Sequence, residues 1–193
     1  MFRSSLLIAC LFVGAGASAN QINLTNVMAQ TVRQIVSAHH VNPMVAFKVG
    51  DTSNYTLSIS SYSGTMVMKV TGVTATELTI DQNMSIAGQT EDAVEVINPS
   101  TGAIISITVN GQKQDPPAAG DDTITSETPT SITVPAGTFN CEDVKIHTAS
   151  TNSDSEQWVD VGGTVPVGGM LKMTATEQGM PVEADLTSFS HGN

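Results

Sequence analysis

From Tyr55 to Leu186 the chain repeatedly places apolar side chains at every second position. Tyr55, Leu57 and Ile59 alternate with Thr56, Ser58 and Ser60; Met66, Met68 and Val70 alternate with Val67, Lys69 and Thr71. Leu78 and Ile80 alternate with Glu77, Thr79 and Asp81, and Met84 and Ile86 keep the same parity. A two-residue period puts one face of a strand on a core and the other in water, and no helix satisfies it. The runs are separated by short breaks such as Gly50-Asp51, Ser63-Gly64 and Asn98-Pro99-Ser100-Thr101-Gly102. Breaks this short join antiparallel neighbours. The chain therefore reads as a meander, with strands that follow one another in sequence lying side by side.

The same style continues. Val94 and Val96 form a strand before the Asn98–Gly102 hairpin, and Ala103, Ile105, Ile107 and Val109 form one after it. Ile132 and Val134 lead to a corner at Pro135-Ala136-Gly137. Phe139 and Cys141 then share one parity and Val144 and Ile146 the other, which predicts a bulge near Glu142-Asp143. A strand around Trp158 is ended by Gly162-Gly163 and Pro166, and Val167, Gly169, Leu171 and Met173 alternate with Met170 and Lys172. Val182, Ala184 and Leu186 make the last strand. Met44–Val49 reads as a further short strand, and residues 110–123, NGQKQDPPAAGDDT, as one long loop. The expectation is about ten strands.

One helix is expected. Residues 23–38 carry Leu24, Val27, Met28, Val32, Ile35 and Val36 at helical spacing, with Asn23 or Thr25 as cap. The expected fold class is thus mainly β: a strongly curved antiparallel sheet with an N-terminal helix packed on it.

The N-terminus carries an address. Met1-Phe2-Arg3 precedes the apolar run Leu6–Val13 and a small-residue site, Ala17-Ser18-Ala19. This is the pattern of a secretory signal peptide over residues 1–19, leaving 20–193 as a single domain. Leu7-Ile8-Ala9-Cys10 also fits a bacterial lipobox. The apolar run continues past Cys10, which favours cleavage after Ala19 over lipid anchoring. The expected destination is the periplasm or the extracellular space.

With Arg3 removed, six Lys/Arg face 18 Asp/Glu, a net charge of −12. No cluster of Lys/Arg is present, so nucleic acid is not an expected partner. Cys141 is the only cysteine after the leader, so no internal disulfide forms and the apolar core must hold the fold.

Val134-Pro135-Ala136-Gly137-Thr138-Phe139-x-Cys141, Gln157-Trp158-Val159 and Pro166-Val167-Gly168-Gly169-Met170-Leu171-Lys172 together resemble a group of exported bacterial proteins of unknown function. Lys48–Asp51 with Tyr55, and Asn98–Gly102 followed by Ile105, fit the same pattern, which covers roughly residues 45–190. That group in turn resembles the lipoprotein carriers LolA, LolB and LppX. The resemblance implies a half-barrel of ten or eleven strands with helices over its concave side and an apolar cavity between. These motifs are structural punctuation, not catalytic signatures.

Each chemical constellation has a plainer explanation. His39-His40, His147 and His191 lack the spacing of a zinc site. Cys141 and His147, on one strand, would stand about 20 Å apart, beyond proton-transfer reach. Glu91-Asp92, Asp121-Asp122 and Glu142-Asp143 read as solvated turns without calcium-loop spacing. No catalytic residue, metal or cofactor is expected. Nine Met against one Trp is the remaining signal, because Met lines adaptable apolar surfaces. The expected function is an exported binding module holding an apolar ligand or lipidated partner on the concave face, around Met66, Met68, Phe139, Trp158, Leu171 and Met173. The alternative is a non-catalytic structural or protein-interaction protein of the cell envelope or secreted space.

Overall fold

The fold was analysed in a computed structural model that describes residues 47–116, 122–149, 151–177 and 179–193. The expected signal peptide over 1–19, the expected helix over 23–38 and His39-His40 lie outside the described residues. The described residues contain eleven strands: β1 (Thr52–Ile59), β2 (Tyr62–Val73), β3 (Leu78–Ile86), β4 (Gln89–Ile97), β5 (Ile104–Val109), β6 (Gln112–Gln114), β7 (Asp122–Val134), β8 (Gly137–Thr148), β9 (Ser153–Asp160), β10 (Met170–Glu177) and β11 (Met180–Ser190). They form one antiparallel sheet in the order β6-β5-β4-β3-β2-β1-β11-β10-β9-β8-β7. The first strand pairs with the last at the centre of the sheet, and β6 and β7 are its edges.

Chain length forces this sheet to curl. Laid flat, eleven strands would put the edges about 48 Å apart. Gln114 at the end of β6 and Asp122 at the start of β7 are joined by only eight residue steps, a reach of at most about 29 Å. The result is a curved, unclosed half-barrel.

Strict alternation decides which side is buried. Tyr55, Leu57 and Ile59 of β1, Met66, Met68 and Val70 of β2, Leu78, Ile80, Met84 and Ile86 of β3, and Val182, Ala184 and Leu186 of β11 are all buried, as their period predicts. They face the concave side. At one end of the barrel most turns are two residues long, with left-handed backbone at Ser60, Ala87-Gly88 and Asn110-Gly111. This is the geometry that matches strand twist.

Longer segments close over the opposite end. Ala136, in the β7–β8 corner, donates its N–H to the Leu186 carbonyl oxygen at 3.1 Å, and the Phe139 and Phe189 rings stack tilted with centroids 6.3 Å apart. The segment between β9 and β10 crosses the same end, where the Ser53 hydroxyl donates to the Pro166 carbonyl oxygen at 3.1 Å. Asp160 shapes that crossing by accepting backbone N–H groups from Gly162, Thr164 and Val165.

Several expectations are corrected. The turn after β1 is Ser60-Ser61, not Ser63-Gly64; Gly64 lies inside β2 opposite Leu57 and Ile86. A Cβ there would fall 2.2 Å from the Ser85 carbonyl oxygen and 2.7 Å from the Ile86 Cβ, so the facing strand takes the space a larger residue would need. Residues 47–50 form an irregular lead and a turn before β1, so the described part of the expected 44–49 strand is not strand. The expected 110–123 loop contains β6 and opens β7. No bulge lies near Glu142-Asp143: β8 stays in continuous register with β7 and β9 there, although its buried positions shift from Cys141 to Val144 and Ile146. The bulges of this region lie at Ile124/Ser126 in β7 and Met170/Lys172 in β10. Val167–Gly169 is a tight left-handed turn rather than the start of a strand.

Candidate functional site

The inner wall of the half-barrel gathers the Met residues. Met66 pairs with both Tyr55 and Met84, and Met68 pairs with Ser53 and Gln82. Met173 pairs with Ala184, which faces Leu57 on the next strand. Directly opposed residues in an antiparallel pair project from the same face, so these side chains form one continuous wall. Met66, Met68, Met84 and Met173 are fully buried.

The six residues singled out from the sequence do not all share that wall. Met66, Met68 and Met173 do. Leu171 is buried at the β10 bulge, beside Met170. Phe139 belongs to the hairpin that closes the barrel end, against Phe189. Trp158 pairs with Lys172 and alternates with Gln157, which pairs with Met173. Trp158 is half-buried and packs against the same apolar core as the Met residues, while its cross-strand partner Lys172 bridges Glu183 at 2.7 Å and Asp185 at 3.1 Å.

Sequence reasoning missed the polar members of the wall. Gln82, Glu95 and Gln157 are buried on the same side as the Met residues. Glu95 pairs with Ile80 on β3 and Ile107 on β5 and is 0% exposed. Neither of its carboxyl oxygens has a hydrogen-bond partner. Burial holds its carboxyl well above the usual carboxylate range, because nothing in the site favours the ionised form. Gln82 donates Nε2 to the Met66 sulfur at 3.0 Å, while its Oε1 is unpartnered. Gln82 and Glu95 are diagonal neighbours, since Gln82 opposes Ala93 and Glu95 is two residues further along β4. The available signal was parity: Ala93, Glu95 and Ile97 point inward and Val94 is 39% exposed, the reverse of the reading that centred β4 on its valines.

The remaining chemical candidates are dispersed. Cys141 is buried, and desolvation, then Asp143 and Asp160, push its thiol above the ordinary range. His147 sits six positions along the same strand and contacts Asp154 at 2.8 Å. Among the described residues no three His, Cys, Asp or Glu side chains gather as a metal site, and no helix is long and apolar enough to cross a membrane. A groove of about 420 Å³ opens between β8, β9 and β10, lined by Lys145, Ile146, Asp154, Glu156 and Ala175 among others. Its lining mixes charge with apolar surface.

No protein-family model and no curated protein matches the chain. Solved structures do. A hypothetical protein, CT021, from Chlamydia trachomatis is 10% identical, with a TM-score of 0.52 over 81% of this chain and 92% of that one. A beta-barrel-like protein of domain of unknown function DUF1849 from Brucella abortus is 8% identical, with a TM-score of 0.49 over 77% of this chain and 100% of that one. MucB in complex with MucA(peri) is 11% identical, with a TM-score of 0.48 over 83% of this chain and 56% of that one. At such identities the likeness to CT021 is one of fold: a curved, unclosed antiparallel sheet recurs without shared sequence.

Proposed function

We propose that this protein is an exported, non-catalytic binding module that holds an apolar ligand, or the acyl part of a lipidated partner, against the inner wall of its half-barrel. The observation that carries this reading is the wall itself. Met66, Met68, Met84 and Met173 lie together on one face of a curved sheet, joined by Tyr55 and Leu57. Unbranched thioether side chains adapt to varied apolar shapes, and a curved sheet supplies concavity without a closed rim. Binding would proceed by burial of hydrocarbon, with no bond made or broken. The leader at residues 1–19 supports export to the periplasm or beyond.

Each buried methylene contributes about 0.8 kcal/mol, so two more carbons in a chain should tighten binding roughly tenfold. A fluorescent apolar probe, 1-N-phenylnaphthylamine, tests this directly. The reading expects saturable fluorescence enhancement, displacement by alkyl chains with that length dependence, and loss of binding in Met68→Lys. A Thr56→Lys change on the outer face should leave binding intact. Absence of saturable enhancement would contradict it.

A second reading, a protein-interaction module of the envelope or secreted space, has one observation of its own. Strand β7 is a 13-residue edge, exposed along nearly its whole length. An unpaired edge is a template for an added strand. Pro129 within it removes one donor and limits how far such pairing runs.

A further inference from the structure

Three unpartnered polar atoms of the wall lie together: Gln82 Oε1, Glu95 Oε1 and Glu95 Oε2 are buried without a hydrogen-bond partner on two adjacent strands, whereas Gln157, with Nε2 and Oε1 unpartnered, lies on β9 beyond the centre of the sheet. Leaving a buried polar group unmade costs more than making its bond gains, so such groups mark an interaction yet to be made. Gln82 Nε2 donates one of its two N–H groups to the Met66 sulfur, which orients the amide and leaves its Oε1 open as an acceptor.

The two residues are placed to share one ligand group. Diagonal neighbours across antiparallel strands have Cα atoms about 7–8 Å apart, within joint reach of two long side chains. The residue between them on the wall is Ala93, opposite Gln82 and two positions before Glu95. Its methyl group is smaller than the side chains of Glu91, Glu95 and Ile97, which share its face of β4. The nearest inward neighbours, Ile80, Ile107 and Val109, are apolar and offer no donor.

We infer that Glu95 and Gln82 recognise the head of an amphipathic ligand whose polar end is a protonated amine, with its hydrocarbon lying along the Met wall. This rests on the binding reading above and names the class of molecule it takes. An ammonium carries three N–H donors and no acceptor, which matches three open acceptor oxygens. A carboxylate head would find no counter-charge there: neutral Glu95 offers it a single O–H donor and no positive charge. The overall excess of acid, 18 Asp/Glu against 7 Lys/Arg, acts in the same direction by drawing cations toward the protein. Without a ligand Glu95 is a neutral carboxyl; arrival of an ammonium supplies the counter-charge that lets it ionise, its proton passing to solvent.

The test compares three probes of equal chain length, dodecylamine, dodecan-1-ol and dodecanoic acid, by calorimetric titration of the purified protein and of Glu95→Gln. The expected result is that the amine binds about tenfold or more tightly than the acid, with the alcohol between them. In Glu95→Gln the amine should lose about tenfold while the alcohol changes little, which also shows that the variant is folded and its wall intact. If all three probes bind the original protein equally, or if the variant keeps the amine preference, amine recognition by Glu95 is wrong and apolar binding stands. If none binds, both readings fall together.

Discussion

The Tyr55 hydroxyl donates to the Met170 carbonyl oxygen at 3.1 Å, tying the middle of β1 to the first residue of β10 across 115 positions of sequence. The ring lies on the Met wall and its oxygen reaches the segment that closes the barrel end. Burial pushes the hydroxyl's pKa far above its ordinary value, so it remains a donor at any pH the fold survives. Tyr55→Phe keeps the ring and deletes the donor. The expected cost is about 1–2 kcal/mol in urea unfolding, with faster amide exchange over residues 166–171. Unchanged exchange there would show that the bond does not hold the closure.

Asp160 should matter more than its neighbours Gly162 and Gly163. Its buried carboxylate accepts three backbone N–H groups, from Gly162, Thr164 and Val165. Asp160→Ala strands those donors and should cost about 2–3 kcal/mol. Asp160→Asn retains one acceptor oxygen and should cost less. Equal stability of the two variants in urea would sink this ordering.

The lead into β1 and the C-terminal segment meet in a second clasp. Buried Asp51 accepts the Lys48 N–H at 2.8 Å and the Gly192 N–H at 2.8 Å. A Cβ at Gly192 would fall 2.1 Å from the Val49 carbonyl oxygen. Gly192→Ala must therefore move the C-terminus away and break its bond to Asp51, at about 1–2 kcal/mol. A thermal melt superimposable on that of the original protein would contradict the clasp.

Glu95 makes stability depend on pH in a definite direction. Its folded pKa is raised above the unfolded value, so its contribution is fully present below the unfolded carboxylate range. It is lost as pH rises through that range toward the folded value, because only the unfolded chain gives up the proton. Glu95→Gln removes the loss. The variant should match the original protein near pH 4 and exceed it at pH 7, measured as urea midpoints. A constant offset across pH would show that Glu95 titrates alike in both states.

Those tests separate what the sequence displayed from what it concealed. The curved sheet was legible because β1, β2, β3 and β11 bury one face only, so Tyr55-Leu57-Ile59 or Val182-Ala184-Leu186 announce both strand and side. Strand β7 was not, because an edge exposed on both faces shows no alternation: TITSETP reads as a polar linker. Strand β6 has three residues, all exposed. In β4 the signal misled. Val94 and Val96 outrank Ala93 and Glu95 in hydrophobicity, so a one-residue error of parity turned the strand over and hid Glu95 among solvated acids.

The account stands or falls on whether the half-barrel carries something. The most direct measurement is organic extraction of the protein purified from its own host, followed by mass spectrometry of the extract. The account predicts a stoichiometric apolar molecule, reduced when Met68→Lys places a charge on the wall. An empty extract, from protein that also takes up no alkyl probe, would mean the wall is packed for stability alone.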